Sequence, residues 1–305
     1  MTIFQPSKTE NQQFGFVAIL GAPNAGKSTL VNRLVGAKVS IVSPKVQTTR
    51  ARIRGIFIEN NVQLVLVDTP GIFHAKRRFD RAMVASAWTE ADESDMRLLV
   101  VDAQKGIDKN TKAIIDSLQK NNQKTILVIN KIDLIIKEKL LPLIADLNTY
   151  SIFTETFLIS AQTGEKVDEL KMYLMSHAPE SPWMFPGDQL SDLPNRLFAA
   201  EITREKLFLL LQQELPYTVA VTTTNWQEKE TGIRIEQTIF VERAGIKPII
   251  VGKKGSMIRK IGESARRELT HLFEKPVHLF LTVRVKENWT DDPERFTEWG
   301  LDYNV

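Results

Sequence analysis

The sequence predicts an α/β fold, with a mixed and mostly parallel sheet covered by helices on both faces, followed by a smaller α+β domain. Residues 15–29, GFVAILGAPNAGKST, join a short apolar run to a glycine-flanked turn and the start of a helix. Beyond this segment, apolar runs rich in β-branched residues alternate with amphipathic stretches, which is the pattern of strands covered by helices. A proline-rich stretch at 177–195 then precedes a second series of elements.

The elements of the first series follow from these patterns. Strands are predicted at residues 16–20, 53–58, 62–67, 98–101, 125–129 and 157–159. Helices are predicted at residues 28–34, 80–91, 109–121, 137–147 and 167–176. Ligands of such a sheet bind beyond the carboxyl ends of its strands, so we expect functional residues directly after the predicted strands.

The turn after the first strand has the composition of a phosphate-binding loop. Gly21 and Gly26 permit backbone angles at which consecutive N–H groups converge on phosphate oxygens at a helix N-terminus. Lys27 can then reach the β- and γ-phosphates, and the Ser28 hydroxyl can bind Mg²⁺. A plain glycine turn is the alternative, which the flanking strand and helix disfavour. The candidate phosphate-binding residues of this loop are Gly21, Ala22, Pro23, Asn24, Ala25, Gly26, Lys27, Ser28 and Thr29.

A second polar motif follows the strand predicted at 62–67. Its residues, Asp68, Thr69, Pro70 and Gly71, are further candidates for phosphate binding. The Asp68 carboxylate can face the ligand shell of Mg²⁺, and the Gly71 amide can approach a γ-phosphate.

Two later strands end in residues that suit recognition of guanine. Asn130, Lys131 and Asp133 follow one of them, and Ser160 and Ala161 follow the next. The Asp133 carboxylate can accept from the N1–H and the 2-amino group of guanine, and adenine has neither donor. Such a site can discriminate by about 10⁴ or more, because the wrong base leaves a buried polar group unpaired. Asn130 would tie this loop to the phosphate loop, Lys131 would lie along the base, and the Ala161 amide would meet guanine O6.

These motifs, in this order, resemble those of the Era family of GTPases. The matching segments are GAPNAGKS, QTTR at 47–50, DTPG, NKID and ISA at 159–161, with KRRFDRAMVASAW at 76–88 as a further likeness. The resemblance implies a P-loop GTPase domain whose first switch contains Gln47, Thr48, Thr49 and Arg50. It also implies an Mg²⁺ site formed by Ser28, Asp68 and a switch threonine, for which we take Thr49 and keep Thr48 as the alternative.

One residue departs from Ras-type chemistry. Ile72 stands after the DTPG motif, where Ras-type enzymes have the glutamine that orients the attacking water. An alkyl side chain cannot hydrogen-bond a nucleophile, so we expect slow intrinsic hydrolysis that depends on other groups. Relatives with an asparagine at the position of Asn24 can use a monovalent cation, which makes K⁺ a second candidate cofactor by analogy.

The second series predicts an RNA-binding domain. A helix is expected at 196–213, strands at 217–224 and 233–241, a helix at 259–273 and a strand at 277–285. The GKKG turn between the second strand and the second helix gives this order the appearance of a type II KH domain, which clamps about four nucleotides of a single strand. A plain turn and, for Arg266 and Arg267, a solvated helix face are the alternatives. The candidate RNA-binding residues are Gly252, Lys253, Lys254, Gly255, Arg259 and Lys260.

Composition narrows the function classes. The 305 residues carry a net charge of +3 and contain no cysteine, which excludes disulfides, thiol catalysis and cysteine-bound zinc and suits a reducing cytoplasm. The four histidines are scattered. No run approaches the roughly 20 apolar residues that span a bilayer, and the N-terminus lacks the pattern of a signal peptide.

We therefore expect an N-terminal extension at 1–13, an Era-type GTPase domain at 14–178, a linker at 179–195, a type II KH domain at 196–286 and a tail at 287–305. The resemblance implies a GTP-hydrolysing switch that binds small-subunit (16S-type) rRNA and acts in assembly of the 30S subunit. We expect a cytoplasmic monomer, and the resemblance adds a peripheral contact with the inner face of the cell membrane. The rivals are a GTPase that assists tRNA modification and a binding module whose nucleotide is structural; phosphate release with and without RNA separates the second rival.

Overall fold

The computed structural model describes residues 12–45, 48–50, 52–75, 77–211, 215–287 and 289–305. These residues form two compact units. The first unit takes its residues from Met1–Ser40, Thr49–Asp192 and Trp299–Val305, and the second from Ile41–Thr48 and Leu193–Glu298. Of the predicted N-terminal extension and first switch, residues 1–11 and Gln47 lie outside the described residues.

The first unit alternates strands and helices along the chain. Its strands are β1 (Gln13–Gly21), β2 (Ile53–Glu59), β3 (Val62–Asp68), β4 (Met96–Asp102), β5 (Thr125–Asn130) and β6 (Phe153–Ile159). Its helices are α1 (Lys27–Val35), α2 (Arg78–Glu93), α3 (Lys109–Lys120), α4 (Lys137–Asn148) and α5 (Val167–Ser176). Every predicted element of this series is present, and β6 is longer than expected because its first half, with two exposed residues, lacks the apolar run that marks the second.

A six-stranded sheet in the order β2-β3-β1-β4-β5-β6 forms the centre of this unit. All neighbouring pairs are parallel except β2 with β3, so the predicted mixed, mostly parallel sheet is confirmed. Side chains of successive strand residues point to opposite faces. In β1, Val17 and Ile19 pack in the core beside α1 and α5, and Ala18 and Leu20 pack in the core beside α2, α3 and α4. Helices therefore cover both faces.

The proline-rich stretch after α5 runs along the strands of the first unit. Ala178 accepts from Gln13, and the Ile56 N–H donates to the Leu190 carbonyl at 2.9 Å. Gln63, fully buried on β3, donates to the Phe185 carbonyl at 2.8 Å and accepts from two backbone N–H groups, at 184 and 185. This stretch lacks helices and strands, yet its backbone is hydrogen-bonded to the sheet residues.

The second unit has an α+β order that fits the predicted type II KH domain. Its elements are α6 (Asn195–Leu210), β7 (Val219–Lys229), β8 (Gly232–Val241), α7 (Lys247–Val251), α8 (Ser256–Phe273), β9 (Val277–Val285) and α9 (Pro293–Glu298). The sheet order is β7-β8-β9, with β8 antiparallel to β7 and parallel to β9. The larger differences from the predicted bounds are at three elements: α6 ends at Leu210, α8 begins at Ser256, and β7 extends to Lys229. β7 also begins later than predicted, at Val219, because a 3-10 turn takes up residues 215–218.

Two segments complete the second unit. On α8 the buried residues Ile261, Ala265 and Leu269 recur every fourth position, which places one apolar face on the sheet. Ile41, at the start of the segment Ile41–Thr48, is fully buried among residues of α6, and the Val42 N–H donates to a carboxylate oxygen of Glu205 at 2.8 Å.

Among the helices of the described residues, none has the length and apolar character needed to cross a membrane.

Candidate nucleotide and nucleic-acid sites

The phosphate loop lies between the end of β1 and the start of α1. Gly21 has φ of 152° and Gly26 has φ of 100°, both in the region that favours glycine. A Cβ atom at Gly21 would lie 2.5 Å from the carbonyl oxygen of Val100, and one at Gly26 would lie 2.2 Å from Asn130 Nδ2. The loop therefore requires glycine at both positions, for backbone angle and for space.

Lys27 opens α1 with its side chain inside the loop. It is 6% exposed, and its ammonium donates to the carbonyls of Gly21 at 3.1 Å and Ala22 at 3.2 Å. Burial lowers the pKa of Lys27 from 10.5 to about 8, against the opposing effect of the nearby Asp68 charge. Burial makes the charged form of Lys27 costly, and a phosphate bound in the loop would stabilise it.

Hydroxyl groups surround the Asp68 carboxylate at the end of β3. Asp68 Oδ2 accepts from Ser28 Oγ at 2.7 Å and from Ser40 Oγ at 2.6 Å, and Thr49 Oγ1 lies 3.4 Å away. The other carboxylate oxygen, Oδ1, is buried and has no hydrogen-bond partner among the residues that the structure describes. Burial raises the pKa of Asp68, while the hydroxyls and the Lys27 charge act in the opposite direction.

The same cluster fits a small hard cation. Ser28 Oγ and Thr49 Oγ1 are 3.0 Å apart, which is the spacing of adjacent oxygens around an octahedral Mg²⁺ with bonds of about 2.0–2.1 Å. The unpaired Oδ1 of Asp68 offers a further acceptor beside them. Thr48, the alternative to Thr49, has its hydroxyl bonded to Ser43 at 2.6 Å and to the Lys45 carbonyl at 2.7 Å. The geometry thus favours Thr49 for the switch threonine.

The residues that follow Asp68 pack against the phosphate loop and the end of β1. Thr69 Oγ1 donates to the Ile19 carbonyl at 2.7 Å, and a Cβ at Gly71 would lie 2.9 Å from Pro23 Cα. Ile72 is 6% exposed and packs in the core, with its N–H donating to the Gly21 carbonyl at 3.1 Å. The residue after the DTPG motif therefore offers no polar side chain to a nucleophile.

The predicted base-recognition residues meet the phosphate loop from the other side. Asn130, 1% exposed at the end of β5, donates to the Ala25 carbonyl at 2.9 Å. Its Oδ1 accepts from the Ala161 N–H at 2.9 Å. The predicted contact of that amide with guanine O6 would have to share or replace this bond. Ser160 is fully buried and its Oγ accepts from the Thr163 N–H, which shapes the turn after β6.

Lys131 and Asp133 follow in a short turn. Lys131 has φ of 67°, and its ammonium donates to the Asn24 carbonyl at 2.7 Å and to the Asp102 carboxylate at 2.6 Å. Asp133 lies in the 3-10 turn at 132–134 with an exposed side chain. Asn130 and Lys131 thus fix consecutive carbonyls of the phosphate loop, at Ala25 and Asn24, while the Asp133 carboxylate remains accessible to a ligand.

Sequence reasoning missed two residues of this site, Ser40 and Asp102. Asp102 ends an apolar strand, as Asp68 and Asn130 do, and this shared position could have identified it. Ser40 is fully buried in an irregular segment, where the Asn32 side chain bonds its N–H and its carbonyl. No local pattern in the sequence marks that position.

The GKKG loop of the second unit lies between α7 and α8. Gly252, Lys254 and Gly255 have φ of 73°, 52° and 78°, so the chain turns sharply before α8 begins. A Cβ at Gly252 would lie 2.7 Å from the Met257 nitrogen, whereas one at Gly255 would meet no atom of the described residues within 4 Å. The basic side chains predicted to contact RNA are exposed; they are Lys253, Lys254, Arg259 and Lys260, and Arg266 and Arg267 further along α8 are exposed as well.

Known family models match segments of both units. Residues 16–131 match the family model described as 50S ribosome-binding GTPase, and residues 214–290 match the KH domain model. The chain is 55% identical to GTPase Era of Rhizobium meliloti (strain 1021), over 95% of this chain and 93% of that protein. It is 56% identical to GTPase Era of Agrobacterium fabrum, over 95% of this chain and 92% of that protein.

Solved structures of Era proteins have the same fold. An Aquifex aeolicus Era variant bound to GDP·AlF₄⁻ is 39% identical, with a TM-score of 0.90 over 96% of this chain and all of that chain. Era in complex with MgGDPNP and nucleotides 1506–1542 of 16S ribosomal RNA is also 39% identical, with a TM-score of 0.90 over 97% of this chain. Relatives above 50% identity over nearly the whole length, together with a phosphate loop, a guanine motif and a KH unit in this order, show that the chain belongs to the GTPase Era family.

Proposed function

We propose that this GTPase is a switch that binds Mg²⁺·GTP at the strand ends of its first unit and small-subunit rRNA through its second unit, and that it acts in 30S subunit assembly. The observation that carries the proposal is the set of side-chain bonds from Asn130 and Lys131 to the phosphate loop, which join the guanine motif to the phosphate site. A family member bound to MgGDPNP and 16S rRNA supports the same pairing of ligands.

The phosphate site divides the work among its residues. The backbone N–H groups of the loop at 21–29, to which Pro23 contributes none, hold the phosphate oxygens, with Thr69 and Pro70 shaping the approach of the Gly71 amide to the γ-phosphate. Lys27 neutralises charge on the β- and γ-phosphates, which increases in the transition state. Ser28, Thr49 and Asp68 would hold Mg²⁺, which would neutralise negative charge on the phosphates during the reaction.

Intrinsic hydrolysis is proposed to be slow because Ile72 cannot orient water. The burial of Ile72 in the core supports this proposal, because its alkyl side chain can neither approach a nucleophile nor hydrogen-bond it. We expect a basal rate well below the roughly 1–100 s⁻¹ of kinases. K⁺ beside Asn24 is the proposed source of additional positive charge; replacing K⁺ by a larger organic cation in single-turnover assays should slow hydrolysis, and an unchanged rate would contradict it.

Guanine selectivity is proposed to rest on Asp133. Its exposed carboxylate lies in the turn after Lys131, where it can accept the two guanine donors. Asp133→Asn should weaken GTP binding and favour xanthosine nucleotides, because the amide can donate to the xanthine 2-oxygen. Asp116→Asn, which makes the same change in an exposed ion pair with Lys112, is the control and should leave both affinities unchanged. Equal affinity of the unmodified protein for ATP and GTP would overturn the assignment.

RNA binding is proposed to use the GKKG loop and the start of α8. Glycines at both ends of the loop let the backbone approach phosphates, and the exposed lysines and the helix N-terminus favour negative charge. Replacing Lys253 and Lys254 together by Asp should abolish binding to an RNA with the sequence of nucleotides 1506–1542 of 16S rRNA. The same change at the exposed Lys120 and Lys124 of the first unit is the matched control. If both double variants bound alike, the RNA surface would lie elsewhere.

We further propose that the protein acts as a cytoplasmic monomer, with a peripheral contact at the inner face of the cell membrane. The family resemblance supports this proposal. Sedimentation of the purified protein tests the monomer, and cofractionation of the cellular protein with 30S subunits or with membranes tests the location. A dimer in sedimentation, or absence from the 30S fraction during subunit assembly, would contradict the proposal.

A further inference from the structure

Asp102, at the carboxyl end of β4, is the carboxylate of the nucleotide site to which the motifs assign no function. We propose that Asp102 is a positioning residue that retains guanine nucleotides by holding the Lys131 ammonium on the phosphate loop. The inference rests on the proposed guanine-nucleotide function of this site. It assigns Asp102 no contact with the nucleotide.

The carboxylate is buried and its two oxygens have separate partners. The Asp102 side chain is 6% exposed, and that of Lys131 is 27% exposed. Oδ2 accepts from Lys131 Nζ at 2.6 Å, while Oδ1 accepts from the Gln104 N–H at 2.9 Å. One oxygen therefore serves the ion pair and the other serves the turn that follows β4. A substitution can separate these two roles.

The ion pair lies in a chain of contacts that ends on the phosphate loop. Lys131 Nζ is also 2.7 Å from the carbonyl oxygen of Asn24. Asn24 and Lys131 both have positive φ, of 64° and 67°, a conformation that non-glycine residues hold only when their surroundings favour it. The ammonium links these two unfavourable backbone positions, and Asp102 supplies the charge that keeps it there.

The strength of this link depends on the carboxylate. Hydrogen bonds between two charged groups are shorter and stronger than those from an ammonium to a carbonyl. Without Asp102 the partly exposed ammonium would exchange the Asn24 carbonyl for water. The methylene stem of Lys131, expected along the guanine plane, would then be free to move, and the nucleotide would leave faster. The contact between Lys131 and Asn24 belongs to the guanine-recognition residues, and GDP and GTP carry the same base. Dissociation of the two nucleotides should therefore be affected alike.

Asp102→Asn tests this directly because the amide oxygen can still accept from Gln104 while the negative charge is removed. Dissociation of fluorescent GDP and GTP analogues should be about 10–100-fold faster, the range expected for loss of a hydrogen bond between charged groups. The association rate should be unchanged, and the nucleotide-free protein should remain folded. Asp116→Asn is the control and should leave dissociation unaltered.

A double-mutant cycle with Lys131→Met distinguishes positioning from a general structural role. If Asp102 acts through Lys131, Asp102→Asn should add nothing to dissociation once the ammonium is gone. Additive effects, or an unchanged dissociation rate in Asp102→Asn alone, would overturn the inference. Failure of the proposed function would look different, since the unmodified protein would then fail to prefer GTP over ATP.

Discussion

Two loops of the chain combine glycines with lysines at the start of a helix, and the two loops present their lysines in opposite ways. Gly26 and Gly255 both precede a helix with positive φ, of 100° and 78°. Lys27, after the first glycine, is 6% exposed and bonded to carbonyls of its own loop, whereas Lys253 and Lys254 are exposed. The same residue types therefore produce an enclosed site in one unit and an open surface in the other.

The surroundings explain this difference. The first loop is crossed by side chains from the end of β5 and the turn after it, since Asn130 bonds the Ala25 carbonyl and Lys131 bonds the Asn24 carbonyl. In the described part of the chain, no atom lies within 4 Å of a Cβ at Gly255. An enclosed loop can hold one arrangement of phosphates, as catalysis requires, and an open loop can clamp a flexible strand. The glycine pattern alone does not separate these functions; the contacts around it do.

The largest expected effect comes from adding one methyl group at the two corresponding glycines. Gly26→Ala should abolish GTP binding, because the new Cβ would lie 2.2 Å from the buried Asn130 nitrogen. At Gly255 a new Cβ would meet none of the described residues, so Gly255→Ala should cost only the backbone preference, about 1–2 kcal/mol of unfolding free energy, and should weaken RNA binding only as far as the methyl group hinders the approach of an RNA phosphate. Nucleotide titration, RNA titration and chemical denaturation measure these quantities. If Gly26→Ala and Gly255→Ala reduced the affinity for their respective ligands equally, the two loops would not differ in how closely other residues enclose them.

The next effect concerns the buried cation. Lys27→Met keeps the alkyl stem and removes the ammonium, so GTP hydrolysis should fall by about 10²–10³-fold or more and GTP affinity should fall with it. The melting temperature of the nucleotide-free protein should not fall, because burial disfavours the charged form of Lys27 and lowers its pKa. RNA affinity without nucleotide is the internal control. A variant that hydrolyses GTP normally would contradict the enclosed-site interpretation.

The smallest effect is expected for single lysines of the open loop. Lys253→Ala or Lys254→Ala should weaken RNA binding modestly and reduce the slope of log affinity against log salt by about 0.7 for each phosphate that the protein no longer neutralises. Lys275→Ala removes another exposed lysine of the second unit and should not change the slope. RNA affinity across a salt series provides the measurement. A large loss of affinity at one lysine with an unchanged slope would indicate a specific enclosed contact instead.

Much of the fold could be predicted because its elements carry local patterns. Val17 and Ile19 alternate with Ala18 and Leu20 in the way a strand between two helical layers requires, and the glycines of the first loop mark its turn. Family resemblance then supplied the functional roles. The motif positions lie together at the strand ends, where the fold class requires them.

What the sequence did not reveal depends on contacts between distant residues. Asp102 pairs with Lys131, 29 positions away, and this pairing exists only because β4 and β5 are neighbours in the sheet. Ser40 reaches Asp68 from an irregular segment that has no periodicity. The hydrogen bonds of Gln63 to residues 184 and 185 lie in a stretch whose proline content argued against regular structure, and composition carries no information about such partners.

The path of the proline-rich stretch also affects how the protein avoids aggregation. β2 is an outer strand of the six-stranded sheet, and an uncovered outer strand can pair with another molecule. Here the Ile56 N–H is taken by the Leu190 carbonyl, and Gly55 forms an antiparallel bridge with Ser191. Because these covering residues follow β2 by more than 130 positions, the growing chain exposes this edge until they have been synthesised. Newly made chains that end before residue 190 should therefore be the ones most prone to self-association.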